Sequence, residues 1–282
     1  INHNNMNITA ADVNKLRMQT GAGMMDCKKA LTEANGDFEE AVVILRKKGQ
    51  KVSASRADRQ ANEGIVVALT NDAQTRGLLL ELNCETDFVA KNEDFTSLAR
   101  KLAEHCMAHG LGSAEALLPT TMDGAVVSDL LVEYTGKIGE KIGVNRVEVL
   151  EGEGVVTYIH SNGKLGVLVS LNQGLNEAVT TAGKDVAMQI AAMSPIAVDK
   201  DDVDPSLIEK EIEIGKDQAR AEGKPEAILE KIAMGKLNKF YQDQTLLNQA
   251  FVKDNAVTIA QMLQKVQAGL TVKAFHRVSI GA

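Results

Sequence analysis

The chain lacks tryptophan altogether, and aromatic residues make up only 3% of its 282 positions. Its core must therefore be packed from Val, Ile, Leu, Met and Ala. Cysteine is nearly as scarce. Cys27, Cys84 and Cys106 are odd in number, scattered and without any CxxC spacing, which excludes a disulfide framework or a cysteine zinc site and fits a reducing cytosol. No apolar run approaches the roughly 20 residues of a membrane span, and no secretory signal is legible. Positive charge is in deficit: 31 Lys and Arg against 38 Asp and Glu give a net charge of −7. That balance speaks against general nucleic-acid binding, which neutralises phosphates. The expectation is a cytoplasmic protein without nucleic-acid or membrane partners. Ile1–Asn5 reads as a foreign or trimmed start, with Met6 as the natural first residue.

Chemical motifs are missing too. There is no GxxxxGK[ST] loop, no GxGxxG after a strand and no GxSxG elbow. Gly21-Ala22-Gly23 precedes a helix but follows another one, so it reads as a helix–helix turn. Carboxylates are plentiful without forming an evident acid–base pair. His105 and His109 stand four apart on one helical face. The zincin pattern needs Glu after its first His, and Cys106 occupies that place. The competing reading is two histidines closing a last helical turn, where positive charge suits the dipole. No cofactor, metal or enzymatic site is indicated.

What the chain does have is 44% apolar residues and length for two or three modules. Thr9 and Asp12 form a weak capping box ahead of a helix over Ala10–Gln19. A second helix spans Met24–Ala34, with Cys27, Ala30 and Leu31 inward, and Asn35-Gly36 stops it. Asp37 caps a third over Phe38–Lys48, which Gly49 should end. Residues 6–49 thus read as a compact three-helix module. Residues 50–62 are polar and read as a linker.

The remainder repeats itself. Residues 63–83 and 153–172 both start Glu-Gly, run through a strand, turn, and return through Gly to a strand ending Leu-Asn. A helix follows each copy, Asp94–Ala108 and Lys184–Met193. Either two related α+β half-domains are present, over 63–150 and 151–282, or two hairpins merely look alike. Val127–Ile138 has helical spacing and Val144–Leu150 alternates as a strand. Within the second half, residues 205–243 read as an antiparallel helical hairpin broken at Gly223-Lys224-Pro225. Ile208, Ile212 and Ala219 would face Ile228, Ile232 and Leu237, with Gly215 and Gly235 loosening the arm. A helix over Val257–Val266 and a strand over Val272–Ile280 end the chain.

Two features invite a contact reading. Thr86-Asp87-Phe88-Val89 lies between a strand and a helix, and its Phe is either an exposed tip or a ring tucked into the core. Met24-Met25 are consecutive on a helix, so both cannot point squarely inward. One is an adaptable exposed contact, or the two form a buried edge.

These residues together resemble the elongation factor Ts family, the bacterial and organellar exchange factors for elongation factor Tu. The long matching stretches are Leu16–Leu31 (LRMQTGAGMMDCKKAL) and Glu81–Lys91 (ELNCETDFVAK). Lys137–Glu140 (KIGE), Tyr158–Gly166, Gly235–Phe240 and Leu246–Val252 match as well. The resemblance implies an α+β fold. It would comprise a UBA-like N-terminal three-helix domain, a duplicated α+β core and a coiled-coil insertion. It implies guanine-nucleotide exchange in translation, without covalent chemistry. Thr86, Asp87, Phe88 and Val89 would intrude beside the partner's magnesium. Arg17, Met24, Met25, Ile138 and His160 would make further contacts. Where the family usually has Pro, Ala250 stands, which puts the path after the arm in question. The alternative is a ubiquitin-type adaptor resting on the N-terminal bundle alone, which leaves residues 63–282 without a role.

Overall fold

The computed structural model describes residues 8–160 and 162–281. The expectations for Ile1–Asn5 and Met6 lie outside them. Among the described residues the fold is mixed α and β, with eleven α-helices and small sheets. The chain divides into two units. Of the described residues, the first contains those up to Ile65, Leu80–Val147 and residues 280–281; the second contains Val66–Leu79 and those of Glu148–Ser279.

The first unit opens with α1 (Ala10–Thr20), α2 (Met24–Glu33) and α3 (Phe38–Ser55). Both halves of the capping box form at α1: Asp12 N–H donates to Thr9 Oγ1 at 3.1 Å and Thr9 N–H donates to Asp12 Oδ2 at 3.0 Å. Val13, Leu16, Cys27, Ala30, Leu31 and Ala41 fill the space between the helices. The third helix corrects the expectation that Gly49 is a stop, since Gln50–Ser55 is helical. Gly49 faces another helix at backbone distance. A Cβ on Gly136 would lie 2.3 Å from Gly49 Cα, so the missing side chain permits a helix crossing, not a terminus.

Next come β1 (Glu63–Thr70), β2 (Arg76–Cys84), the short α4 (Asp87–Ala90), α5 (Glu93–His109) and α6 (Ala114–Leu117). The two-residue strands β3 (Thr121–Met122) and β4 (Ala125–Val126) precede α7 (Val127–Ile138) and β5 (Gly143–Glu151). The sheet order is β1-β2-β5. As its central strand, β2 is buried almost throughout, and its run Leu78–Leu82 carries one charge, Glu81. Asn83 Nδ2 at 2.9 Å and Asn145 Nδ2 at 3.3 Å donate to its Oε1, and Arg146 Nε lies 3.5 Å from its Oε2, the pairing that offsets the cost of burying a carboxylate.

The second unit holds β6 (Gly154–Ile159), β7 (Leu165–Leu171), α8 (Glu177–Met193), α9 (Pro205–Ala221) and α10 (Glu226–Gln244). It closes with β8 (Ala250–Phe251), β9 (Asp254–Thr258), α11 (Ile259–Val266) and β10 (Val272–Ser279). The sheet order is β10-β7-β6 with antiparallel pairs, Val156 opposite Val169 and His276 opposite Leu168. One aliphatic core joins Val167, Val169 and Leu171 to Val186 and Ile190 of α8 and to Ile259 and Leu263 of α11. α8 starts seven residues before the expected Lys184, because Asn176 Oδ1 caps it by accepting from Val179 N–H at 2.9 Å. Val257 and Thr258 belong to β9 and not to the last helix, and Thr258 is its N-cap. Ala250 sits in β8 opposite Thr258.

In α9 and α10 the facing rows differ from expectation. The buried residues are Gly215 and Ala219 against Leu229, Ala233 and Leu237. Ile228 is exposed and Ile232 only half-buried. A Cβ on Gly215 would lie 3.1 Å from Ala233 Cα, so this glycine lets the helices approach. Gly235 has nothing within 4 Å.

Candidate functional site

The candidate residues of the first unit gather around three short pieces of chain. The first is the α1–α2 corner. Its buried stripe uses Leu16, Cys27, Ala30 and Leu31, which leaves Arg17, Met18, Met24 and Met25 outside. Met24 and Met25 are 55% and 63% exposed and Met18 is 80% exposed. Both members of the pair are therefore on the surface, where sequence alone required only one. Nothing in the sequence marks Met18, since an isolated Met on a helix carries no pattern.

The second piece is the turn after β2. Thr86 caps α4 in extended conformation, and its Oγ1 accepts from Val89 N–H at 3.4 Å. Four residues are enough for one helical turn. Ala90 faces inward and Phe88 faces out, 83% exposed. Asp87 accepts from Lys91 Nζ at 2.8 Å, which holds the Lys91 ammonium above its ordinary range.

The third piece is the end of α7. Gly139 closes the helix in the left-handed region, φ 82°, with its N–H on Thr135 O at 2.8 Å. Ile138, half-buried, is the last helical residue. Beyond the glycine, Glu140 reaches the turn after β2. Its Oε2 accepts from Glu85 N–H at 3.1 Å and Thr86 N–H at 3.0 Å, and its Oε1 accepts from Thr86 Oγ1 at 2.7 Å. Lys141 N–H answers by donating to Glu85 Oε1 at 2.7 Å. Glu85 also takes both oxygens of its carboxylate to Arg56 Nη1, at 2.8 and 3.0 Å. Burial pushes the Glu85 carboxyl up, but the Lys141 N–H and Arg56 outweigh it, so its pKa lies below the ordinary value.

The same helix end touches the first piece. A Cβ on Gly21, φ 66°, would lie 2.5 Å from Lys137 Cε, so the Lys137 stem lies across the α1–α2 turn. Lys137 Nζ pairs with Asp94 at 3.2 Å. Residues 136–141 thus meet α3 at Gly49, the α1–α2 turn at Gly21 and the turn at Thr86. Glu85 and Glu140 were assigned no role from sequence. The contacts between residues 85–86 and 140–141 span more than 50 residues and the Arg56–Glu85 pair spans 29, and no local spacing announces either.

His160, the remaining candidate, belongs to the second unit. It is exposed just beyond β6, with Nδ1 3.1 Å from Tyr158 Oη. The histidine pair has ordinary partners. Thr120 Oγ1 donates to Leu117 O at 2.7 Å, so His105 Nε2, 3.0 Å away, must be the donor to that hydroxyl. His109 Nδ1 meets His105 O at 2.9 Å. Burial, then His109, holds His105 below the usual histidine range. Among the described residues no three His, Cys, Asp or Glu gather as a cation site. Cys84, with its Sγ 3.2 Å from Thr86 O, is pushed up to about 12 by burial and then Glu140; burial pushes Cys106 up to about 11. Neither is a ready nucleophile. No described helix is long and apolar enough to cross a membrane.

The sequence model of the family described as Elongation factor TS matches residues 85–282. Elongation factor Ts of Cytophaga hutchinsonii is 58% identical over 275 residues, covering 97% of this chain and 99% of that protein. The proteins of the same name from Amoebophilus asiaticus and Christiangramia forsetii are 53% and 51% identical. They align over 98% and 97% of this chain, and over 100% and 99% of their own lengths. With its TDFV turn, its methionine corner and this likeness along nearly its whole length, the chain belongs to the elongation factor Ts family.

Proposed function

We propose that the chain is a guanine-nucleotide exchange factor of translation elongation that binds elongation factor Tu carrying GDP, displaces Mg²⁺ and releases GDP so that GTP rebinds. The observation that carries the reading is Phe88. A large apolar ring is 83% exposed at the outer side of a one-turn helix, where water gives it no favourable contact. Arg17, Met24, Met25, Ile138 and His160 would hold other parts of the partner's surface. The flexible, polarizable thioethers suit an adaptable contact.

The physics of the GTPase site makes a wedge sufficient. A GTPase holds GDP through a phosphate-cradling loop and Mg²⁺, whose charge offsets the phosphates. Mg²⁺ demands near-octahedral oxygen geometry. Phe88 pressed beside the ion would shift its ligands, with Thr86, Asp87 and Val89 against the same polar network. By linkage, the factor weakens GDP as many-fold as GDP weakens the factor. No covalent step and no cofactor of this chain is needed.

The finer architecture belongs to the same reading. The N-terminal three-helix module is a UBA-like domain, supported by the packing of α1, α2 and α3, the last of which runs on through residue 55 toward the core. Residues 63–150 and 151–282 are related half-domains, each with a strand pair followed by a helix. The 205–243 insertion is a coiled coil, supported by Gly215 against Ala233 and Arg220 paired with Glu226 near the turn. A cytoplasmic location follows from the function.

The test is stopped-flow release of a fluorescent GDP analogue from elongation factor Tu. Phe88→Ala should keep partner binding and slow release; an unchanged rate would sink the wedge. A Met24→Ala/Met25→Ala double variant should weaken binding, and native affinity by calorimetry would remove the methionine corner from the interface.

A further inference from the structure

The turn that carries Phe88 is held by polar contacts more than by apolar packing: Asp87 pairs with Lys91, and Glu85 with Arg56 and Lys141 N–H. Phe88 itself is in solvent, Asp87 and Val89 are half-buried, and Ala90 buries only a methyl group. A four-residue helix does not persist on its own hydrogen bonds. What fixes it is the Glu140 carboxylate, which collects two N–H groups and one hydroxyl from Glu85 and Thr86. The Thr86 hydroxyl has a double duty: its hydrogen goes to Glu140 Oε1 while its lone pair accepts the α4 N–H of Val89. Glu140 therefore sets the rotamer that caps α4. The Lys141 N–H on Glu85 Oε1 makes the junction reciprocal, so two strands of chain 55 residues apart close on each other from both sides.

We infer that Glu140 is a positioning residue of the exchange site: a latch that holds the Phe88 turn preformed and in fixed register with Ile138, two residues away on the same helix end. The inference rests on reading Phe88 as the wedge. The three bonds of Glu140 go to the turn alone, so its loss releases the Thr86 cap of α4, while Glu85 keeps its own ties to Lys141 N–H and Arg56 and the α7 packing through Gly136 and Leu131 stays in place. A wedge must push, and an untethered ring yields to the magnesium shell instead of displacing it.

Two measurements on the full chain test this. The first uses the protein alone, with para-fluorophenylalanine at position 88. Because the ring is already in solvent, the readout is the linewidth: Glu140→Ala should narrow the fluorine resonance as the turn gains backbone freedom, with the far-ultraviolet circular dichroism unchanged. Glu140→Gln, which keeps the volume and loses the charge, should narrow it too and stands in if the Ala variant folds poorly. An unchanged linewidth in a folded variant overturns the latch, whatever Phe88 does. The second is GDP release at saturating factor. Glu140→Ala should slow the maximal rate about tenfold with the half-saturating concentration nearly constant. Combined with Phe88→Ala, it should add no further slowing. Independent, multiplying effects would make Glu140 a general structural residue and overturn the positioning role. Failure of the Phe88 reading has a different signature: Phe88→Ala alone leaves release unchanged.

Discussion

Gly49 and Gly136 face one another where α3 crosses α7, yet adding a methyl group to each should have opposite effects. On Gly136 a Cβ would sit 2.3 Å from Gly49 Cα, 3.3 Å from its carbonyl carbon and 3.4 Å from its nitrogen. Carbon atoms pack best at about 3.5–4.0 Å, so the crossing must open by more than an ångström. The obstacle is backbone and cannot rotate aside. Overpacking of this kind costs about 1–3 kcal/mol, against which alanine returns up to about 1 kcal/mol of helix propensity. Gly136→Ala should therefore destabilise by about 2 kcal/mol. On Gly49 the new Cβ would meet Gly136 Cα at 3.6 Å and Val132 O at 3.8 Å, which is ordinary contact. Gly49→Ala should be neutral or stabilise by about 0.5–1 kcal/mol. Urea unfolding followed by far-ultraviolet circular dichroism measures both, and in a thermal melt each kcal/mol corresponds to about 2–4 °C. Equal effects for the two substitutions, or a Gly136→Ala chain as stable as the parent, would refute the reasoning.

The arm should show the same contrast: Gly235→Ala, with open space around it, should stabilise by about 1 kcal/mol, while Gly215→Ala, 3.1 Å from Ala233 Cα, should not, as read by thermal unfolding. Because the Glu85 pKa is lowered on folding, its ionised form supports the fold fully above the unfolded value of 4.5, and that support is lost as pH falls through the lower folded value. Glu85→Gln should accordingly flatten the acid limb of a stability–pH profile below about pH 4.5, and an unchanged limb would contradict the Arg56 and Lys141 contacts. Maleimide at pH 8 should leave Cys84 and Cys106 unmodified in the folded chain, since both are buried and raised to about 12 and 11, and should label them once urea unfolds it.

Local signals were legible in sequence and long-range ones were not. The Thr9–Asp12 capping box, the Cys27–Leu31 stripe and the strand pairs are set by neighbours within a few residues, and each stands where its pattern puts it. Gly49 shows the limit. Propensity sees a glycine and ends the helix, but the partner that explains it, Gly136, is 87 residues further on. The arm shows another: Ile212 and Ile228 are more apolar than Gly215 and Ala233, yet close packing places the small residues at the crossing. At the candidate site the exposed Phe88 and Met24–Met25 stood out as rare residue types in polar or consecutive settings. Glu140 and Glu85 lie within the matching stretches KIGE and ELNCETDFVAK, but nothing local gives their carboxylates a role, because their work is done on backbone brought in by the fold.

The exposed ring of Phe88 also has an optical consequence. No indole occurs in the chain and its three tyrosines absorb little at the red edge of the protein band. Excited there, the molecule is dark, and emission from a mixture belongs to whatever it has met. A Phe88→Trp chain would carry a single emitter at the outermost point of the α4 turn, reporting by colour whether that point lies in water or against another surface.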